Sequence, residues 1–153
     1  MPELARILDQ MQRAWDDDAW HGPPLRKLLE DVSAKTAHSH PIAGAHSIAE
    51  IVMHLAYWKD AGRRRLAGEK VLPSEKEQWP PHPGAGEDAW KETLALLDTR
   101  HQDFIDAVAS QSDECLAMPV AGKDYDQYVL LHGLIQHDLY HAGQIALLKR
   151  AAV

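Results

Sequence analysis

The stretch from Leu130 to Leu148 carries His132, His137 and His141. Read as a helix, it places Leu130, Leu134, His137, His141, Ile145 and Leu148 along one face, because residues three and four apart stack on the same side. That is the apolar stripe a helix turns toward a core, and two imidazoles sit in its middle. His132 falls on nearly the opposite side and belongs to a different environment. Histidines at i and i+4 aim their ring nitrogens at a common point, the spacing with which a helix holds a divalent metal. The same spacing also occurs in ordinary core or surface histidines, so a third ligand has to be sought.

That ligand should stand on an inward position of a helix packed against the last one. His54 meets both conditions better than the other histidines. His38, His40 and His82 are expected in loops, beside Pro or Ser. His46 precedes a helix start two turns from His54, His21 adjoins a Gly-Pro break, and His101 sits in the middle of another helix. Three unpaired imidazoles in one core would leave several polar groups unsatisfied, and a shared cation removes that cost.

The elements that must position these residues are helical. Leu4, Ile7, Leu8, Met11 and Trp15 recur at helical spacing and outline a first helix from about Pro2 to Asp18. The run Asp16-Asp17-Asp18 lies where the helix dipole disfavours it, so the helix is expected to stop early or fray there. A break at Trp20 to Pro24 leads to a short helix from Leu25 to Val32, and His38 to Gly44 reads as a loop. Ser47 and Glu50 fit a capping box that opens a long helix running to about Ala67, with Gly68 as its stop. Its buried face carries Ile48, Ile51, Leu55, Trp58 and Gly62, and Arg63, Arg64 and Arg65 read as a solvated cluster favoured by the dipole.

Val71 to Glu87 contains Pro73, Pro80, Pro81, Pro83, Gly84 and Gly86 and cannot be one helix. Extended chain covers about 3.3 Å per residue, so this connection can travel the height of a bundle and let its flanking helices run parallel. Trp90, Leu94, Leu97, His101, Phe104, Ile105 and Val108 outline a helix over Glu87 to Ser110. After a break at Gln111 to Lys123 the last helix runs from near Tyr125 to near Ala151. No strand-like alternation of useful length appears. The fold expected is an all-α four-helix bundle, one domain over 1–153, with a long crossover between the second and third long helices.

Composition narrows the function. The chain has 153 residues, 45% of them hydrophobic, and a formal charge of -7. One domain of this size buries a core without staples, and the acidic balance argues against a nucleic-acid partner. Cys115 is the only cysteine, so no intrachain disulfide can form. There is no signal-peptide pattern at the N-terminus and no apolar run long enough to cross a bilayer, so the expected location is cytoplasmic, without a membrane partner.

His-Leu-Ala-Tyr-Trp (His54 to Trp58) and Leu-His-Gly-Leu-Ile-Gln-His-Asp-Leu-Tyr-His-Ala-Gly-Gln-Ile (Leu131 to Ile145) closely resemble the DinB-like superfamily. Trp20 to Pro23, Ser47 with its surroundings, and Arg65 to Glu69 are similar to that family too. The resemblance covers nearly the whole chain, and His-x-x-x-His-x-Gly-Gln is its most specific part. It implies a four-helix bundle with a long crossover, often dimeric, holding a divalent metal on His54, His137 and His141. It also implies relatives that are transferases and isomerases using bacillithiol, mycothiol or a related small thiol, and it does not imply DNA binding.

Three neutral imidazoles leave coordination positions open, as in a catalytic rather than a closed site. An all-nitrogen set suits nickel or zinc, with iron, cobalt or manganese as alternatives. Bound metal would lower the pKa of a coordinated thiol or water. Three readings follow: a small-thiol S-transferase, a hydrolase of a small substrate, and a metal-binding stress-response bundle without catalysis. Gln144, one turn past His141, is a candidate for orienting a ligand or water, and Glu50 for supporting a ligand from behind or acting as a base, though its capping-box duty competes. Asp138 and Tyr140 read as surface or packing residues, Trp58 as core, and Cys115 as a bystander in a loop. Occupancy is expected to fall as pH drops below about 6.5, the ordinary histidine value.

Overall fold

The computed structural model describes residues 1–16 and 18–152. Asp17, in the acidic run at the end of the first helix, and Val153, the last residue of the expected domain, lie outside them. Helix α1 spans Glu3–Trp15, stopping before that run. Pro2 has no side chain to cap it, and the carboxylate of Asp113 does so instead, accepting the Glu3 and Leu4 N–H groups at 2.9 Å each.

Helix α2 is Leu25–Leu29, shorter than the sequence suggests. Helix α3, Ala34–His38, is not predicted by the sequence, and it takes in His38, the first residue of the expected loop. One turn is too short for a periodic signal, and it is held by partners. The Ser33 hydroxyl accepts the Thr36 N–H, Glu87 Oε1 accepts the Ala34 N–H, and Ala34 and Ala37 are buried.

Helix α4, Ile48–Leu66, opens on the expected capping box with both reciprocal bonds made. Helix α5 spans Glu87–Ala109, a 3₁₀ turn covers Asp113–Ala117, and α6 spans Gln127–Ala151 with Asp126 capping the Val129 N–H. Among the described residues there is no strand, only an isolated bridge between Pro119 and Asp126. None of their helices is long and apolar enough to cross a membrane.

The long helices form a ring in which α4 touches α5 and α6, and α1 touches the same two. One core cluster gathers Trp15, Ile48, Leu55, Trp90, Leu97 and Ile145, and the other gathers Leu4, Ile7, Phe104, Leu131 and Leu134. Following each helix between clusters shows α4 and α5 advancing together, with α1 and α6 opposed to them. The helices come close at Gly62, where an added Cβ would lie 2.5 Å from Leu134 and 3.3 Å from Phe104. That absence of a side chain lets α4 pack closely against Leu134 of α6 and Phe104 of α5.

Two charged residues of α4 depart from the expected polar surface. Arg65 is buried, gives two hydrogen bonds to the Val71 carbonyl (3.2 and 2.8 Å) and one to the Tyr125 hydroxyl, and lies over the Trp58 ring. It ties down the start of the long connection, whereas Arg63 and Arg64 pair locally with Asp60 and Glu69. Lys59 is buried as well and pairs with Asp138 of α6.

Candidate metal centre

The inward face of α4 carries His54, and that of α6 carries His137 and His141 one turn apart. The structure brings all three together. His137 Nε2 lies 3.0 Å from His54 Nε2 and 3.2 Å from His141 Nε2. One ligand nitrogen from each lies within 4.8 Å of the others. Metal–nitrogen bonds of about 2.0–2.1 Å at tetrahedral or octahedral angles hold neighbouring nitrogens roughly 2.9–3.4 Å apart, which fits these separations.

The outer nitrogens fix the proton positions. His54 Nδ1 lies 2.7 Å from the Gln78 carbonyl oxygen, which can only accept. The proton therefore sits on Nδ1, and Nε2 turns its lone pair inward. His141 Nδ1 is held in the same way by Gln144 Oε1 at 2.6 Å. A neutral His137 could donate from Nε2 to only one of these lone pairs. Its own Nδ1 is buried without a partner. A cation among the three nitrogens satisfies every inward lone pair at once, so the residues present fit a divalent metal.

Burial supplies the matching protonation. It pushes His54 down to about 4 against the opposing hydrogen bond from Gln78. It pushes His137 to about 3, with further lowering from His141 and His54, and it lowers His141 too. His54 and His137 stay neutral well below the ordinary histidine value, and His141 shifts in the same direction, toward the form a metal requires. Competition from protons thus begins at lower pH than the 6.5 expected from sequence.

The shell around the trio comes partly from the long connection, for which the sequence predicts only a bridging role. Ser74 and Glu77 bond reciprocally, the Ser74 N–H to Glu77 Oε2 and the Glu77 N–H to Ser74 Oγ. They wind a turn that delivers Gln78 and Trp79. The Trp79 indole stacks on His54 at 3.9 Å and on His46 at 3.6 Å. Ser74-x-x-Glu77 repeats the pattern that opens α4 at Ser47 and Glu50, and that signal could have located the turn. A cavity of about 370 Å³ opens beside this wall, with His141, Gln144 and Trp79 in its lining.

Glu50 faces elsewhere. Its Oε2 accepts the Ser47 N–H at 2.7 Å and lies 3.2 Å from His40 and 3.4 Å from His46, so its capping duty holds. Asp138, expected at the surface or in packing, is a buried partner of Lys59. Tyr140 is largely exposed with its ring edge toward His141, and Trp58 is half-buried beside His54 and His137. Cys115 is buried within the 3₁₀ turn rather than in an open loop, and burial pushes its thiol up. His101 stacks on Trp15, His38 meets His82 edge-on, and His132 lies tilted against Tyr128, all away from the trio.

A family model described as the DinB superfamily matches residues 17–145, a span that holds all three histidines. No curated protein matches the chain.

Proposed function

The chain belongs to the DinB superfamily, and on that premise we propose that it is a metal-dependent enzyme joining a small thiol to an electrophile, with His54, His137 and His141 as the ligands. One observation carries the reading: two imidazoles have their lone pairs locked inward toward a third, beside an open cavity. Nickel or zinc suits the all-nitrogen set first, and iron, cobalt or manganese come next. When bound, the cation would supply acidity, lowering the pKa of a coordinated thiol or water to reach a nucleophile at neutral pH.

The chain's own residues do the rest. Gln78 and Gln144 hold two ligand rings by their Nδ1 protons. Trp79 and Trp58 cover the rings of His54 and His137 and keep bulk water from that side. The family resemblance supports bacillithiol, mycothiol or a similar thiol as co-substrate.

Elemental analysis of untagged protein tests the centre. About one divalent metal per chain is expected, and none in His137→Ala. Metal-loaded protein is then given a chlorinated dinitrobenzene with each of several biological thiols, and separately esters and amides without thiol. Acceleration with one thiol supports the transferase. Thiol-independent hydrolysis, or bound metal with neither activity, overturns it.

A further inference from the structure

Helix α6 lacks a charged face. Leu131, Leu134 and Ile145 fill the core, while Val129, Tyr140 and Leu147 on its outer side are 49%, 66% and 63% exposed. From Gln127 to Leu148 the only Asp, Glu, Lys or Arg is Asp138, which is buried against Lys59. A surface helix ordinarily turns charged residues to water on the side away from the core, and an apolar outer side marks a contact. We propose that a second copy of this chain covers that side, with α6 lying antiparallel on α6 about a twofold axis between Gln136 and Tyr140.

Val129, Gly133, Gln136, Tyr140, Gly143 and Leu147 form one exposed line along α6. Their alternating spacings of four and three are those of a seam that meets another helix along its length. Turned end over end about its middle, the seam fits itself. Gly133 meets the partner's Gly143, Val129 the partner's Leu147, and Gln136 the partner's Tyr140. Glycine inside a helix costs about 1 kcal/mol relative to alanine. Within the chain neither glycine is needed for packing, since an added Cβ at Gly133 or Gly143 has nothing within 4 Å. Facing each other across the twofold axis, they let two backbones approach closely, which gives both a use.

Charge selects the same register. Arg150 is the next position of the line, and it falls opposite the partner's Asp126, the N-cap of α6. Among the described residues neither has an ion-pair partner in its own chain. Antiparallel docking joins these two at both ends of the interface and opposes the helix dipoles, whereas parallel docking would set Arg150 against Arg150. An uncharged middle also suits two chains that each carry a net charge of -7. Tyr140 and Leu147 belong both to the seam and to the lining of the cavity beside His141. The second copy therefore supplies the outer wall of that cavity, next to the metal centre.

Sedimentation equilibrium of the full-length, metal-loaded chain from about 1 to about 100 μM should show a dimer that dissociates within or below that range. Gly143→Gln, a better helix former whose Cβ meets nothing in the monomer, should weaken association at least about tenfold. Its metal content and melting temperature should not fall. Arg150→Glu should weaken association by about fivefold, and adding Asp126→Asn, which keeps a capping side chain, should give most of that back. Positions 129 and 147 lie about 27 Å apart on one helix, so a disulfide between them can only join two chains. Val129→Cys and Leu147→Cys proteins should crosslink when mixed and not when oxidised separately. A monomer throughout the range, a dimer indifferent to Gly143→Gln, no recovery with Asp126→Asn, or Val129→Cys chains that crosslink with themselves would each overturn the proposal.

Discussion

The indole of Trp79 lies parallel to the imidazole of His54, 3.9 Å between centroids and 10° between planes. The preceding residue, Gln78, accepts the proton of the same ring. Two consecutive residues of a proline-rich connection therefore fix one ligand in position and tautomer. Outer partners of this kind typically change metal affinity by about 10- to 100-fold. Trp79→Ala should weaken metal binding within that range, and Trp79→Phe, which keeps a flat ring, should restore most of it. Competition against a chromophoric chelator measures both, and an unchanged affinity in Trp79→Ala would remove the connection from the centre.

Gln144 allows a sharper comparison on the other ligand helix. Gln144→Leu removes the acceptor that keeps the His141 proton on Nδ1. The ring then has no preference for the tautomer that points a lone pair inward, and metal affinity should fall by about 10-fold or more. Gln144→Glu keeps an acceptor at the same reach and should hold the metal at least as well as the parent. If Leu and Glu behave alike in chelator competition, the hydrogen bond does not set the tautomer.

Beneath the trio, Lys59 and Asp138 make an ion pair whose side chains are only 3% and 4% exposed. The ammonium also lies near the rings of Trp15 and Phe104, at 5.9 and 5.7 Å. Breaking a buried pair leaves an uncompensated charge and costs roughly 3–5 kcal/mol, whereas replacing both partners by apolar groups is often neutral. Lys59→Met alone should be strongly destabilised in urea unfolding. Lys59→Met combined with Asp138→Leu should recover most of the loss. A double variant as unstable as the single one would mean that shape, not charge, dominates the site.

These relationships also mark what the sequence could and could not disclose. Periodicity and capping fix the long helices, because Ser47 with Glu50 and the stripes of α4, α5 and α6 are local signals. The convergence of His54 with His137 and His141 was legible for the same reason, since inward position follows from helical phase. Lys59 was not legible: its type belongs to a polar face, and only the three-dimensional partner Asp138 makes burial tolerable. Arg65 escaped in the same way, its partners being the carbonyl of Val71 and the hydroxyl of Tyr125. Gln78 and Trp79 lay in a stretch without period, where a single turn is held by side-chain bonds that no periodic pattern reports.

Acid stability should carry the signature of His101, which is buried on α5 outside the metal centre. Its ring lies 3.8 Å from that of Trp15 and 6° from parallel, and its Nδ1 has no partner. Burial pushes it down to about 2, aided by the cations of Lys59 on α4 and Arg26 on α2. An unfolded chain takes up this proton near 6.5, the folded chain does not, so the unfolded state binds more protons between those values. The stability His101 contributes is then complete above about 6.5 and falls as pH drops toward 2, by at most about 1.4 kcal/mol per pH unit. His101→Phe keeps a flat ring against Trp15 and removes the proton site. Urea unfolding from pH 7.5 to 4.5, with chelator present throughout, should show a shallower slope for the variant by about one proton. Parallel slopes would mean that the imidazole is charged, or solvated, inside the folded protein.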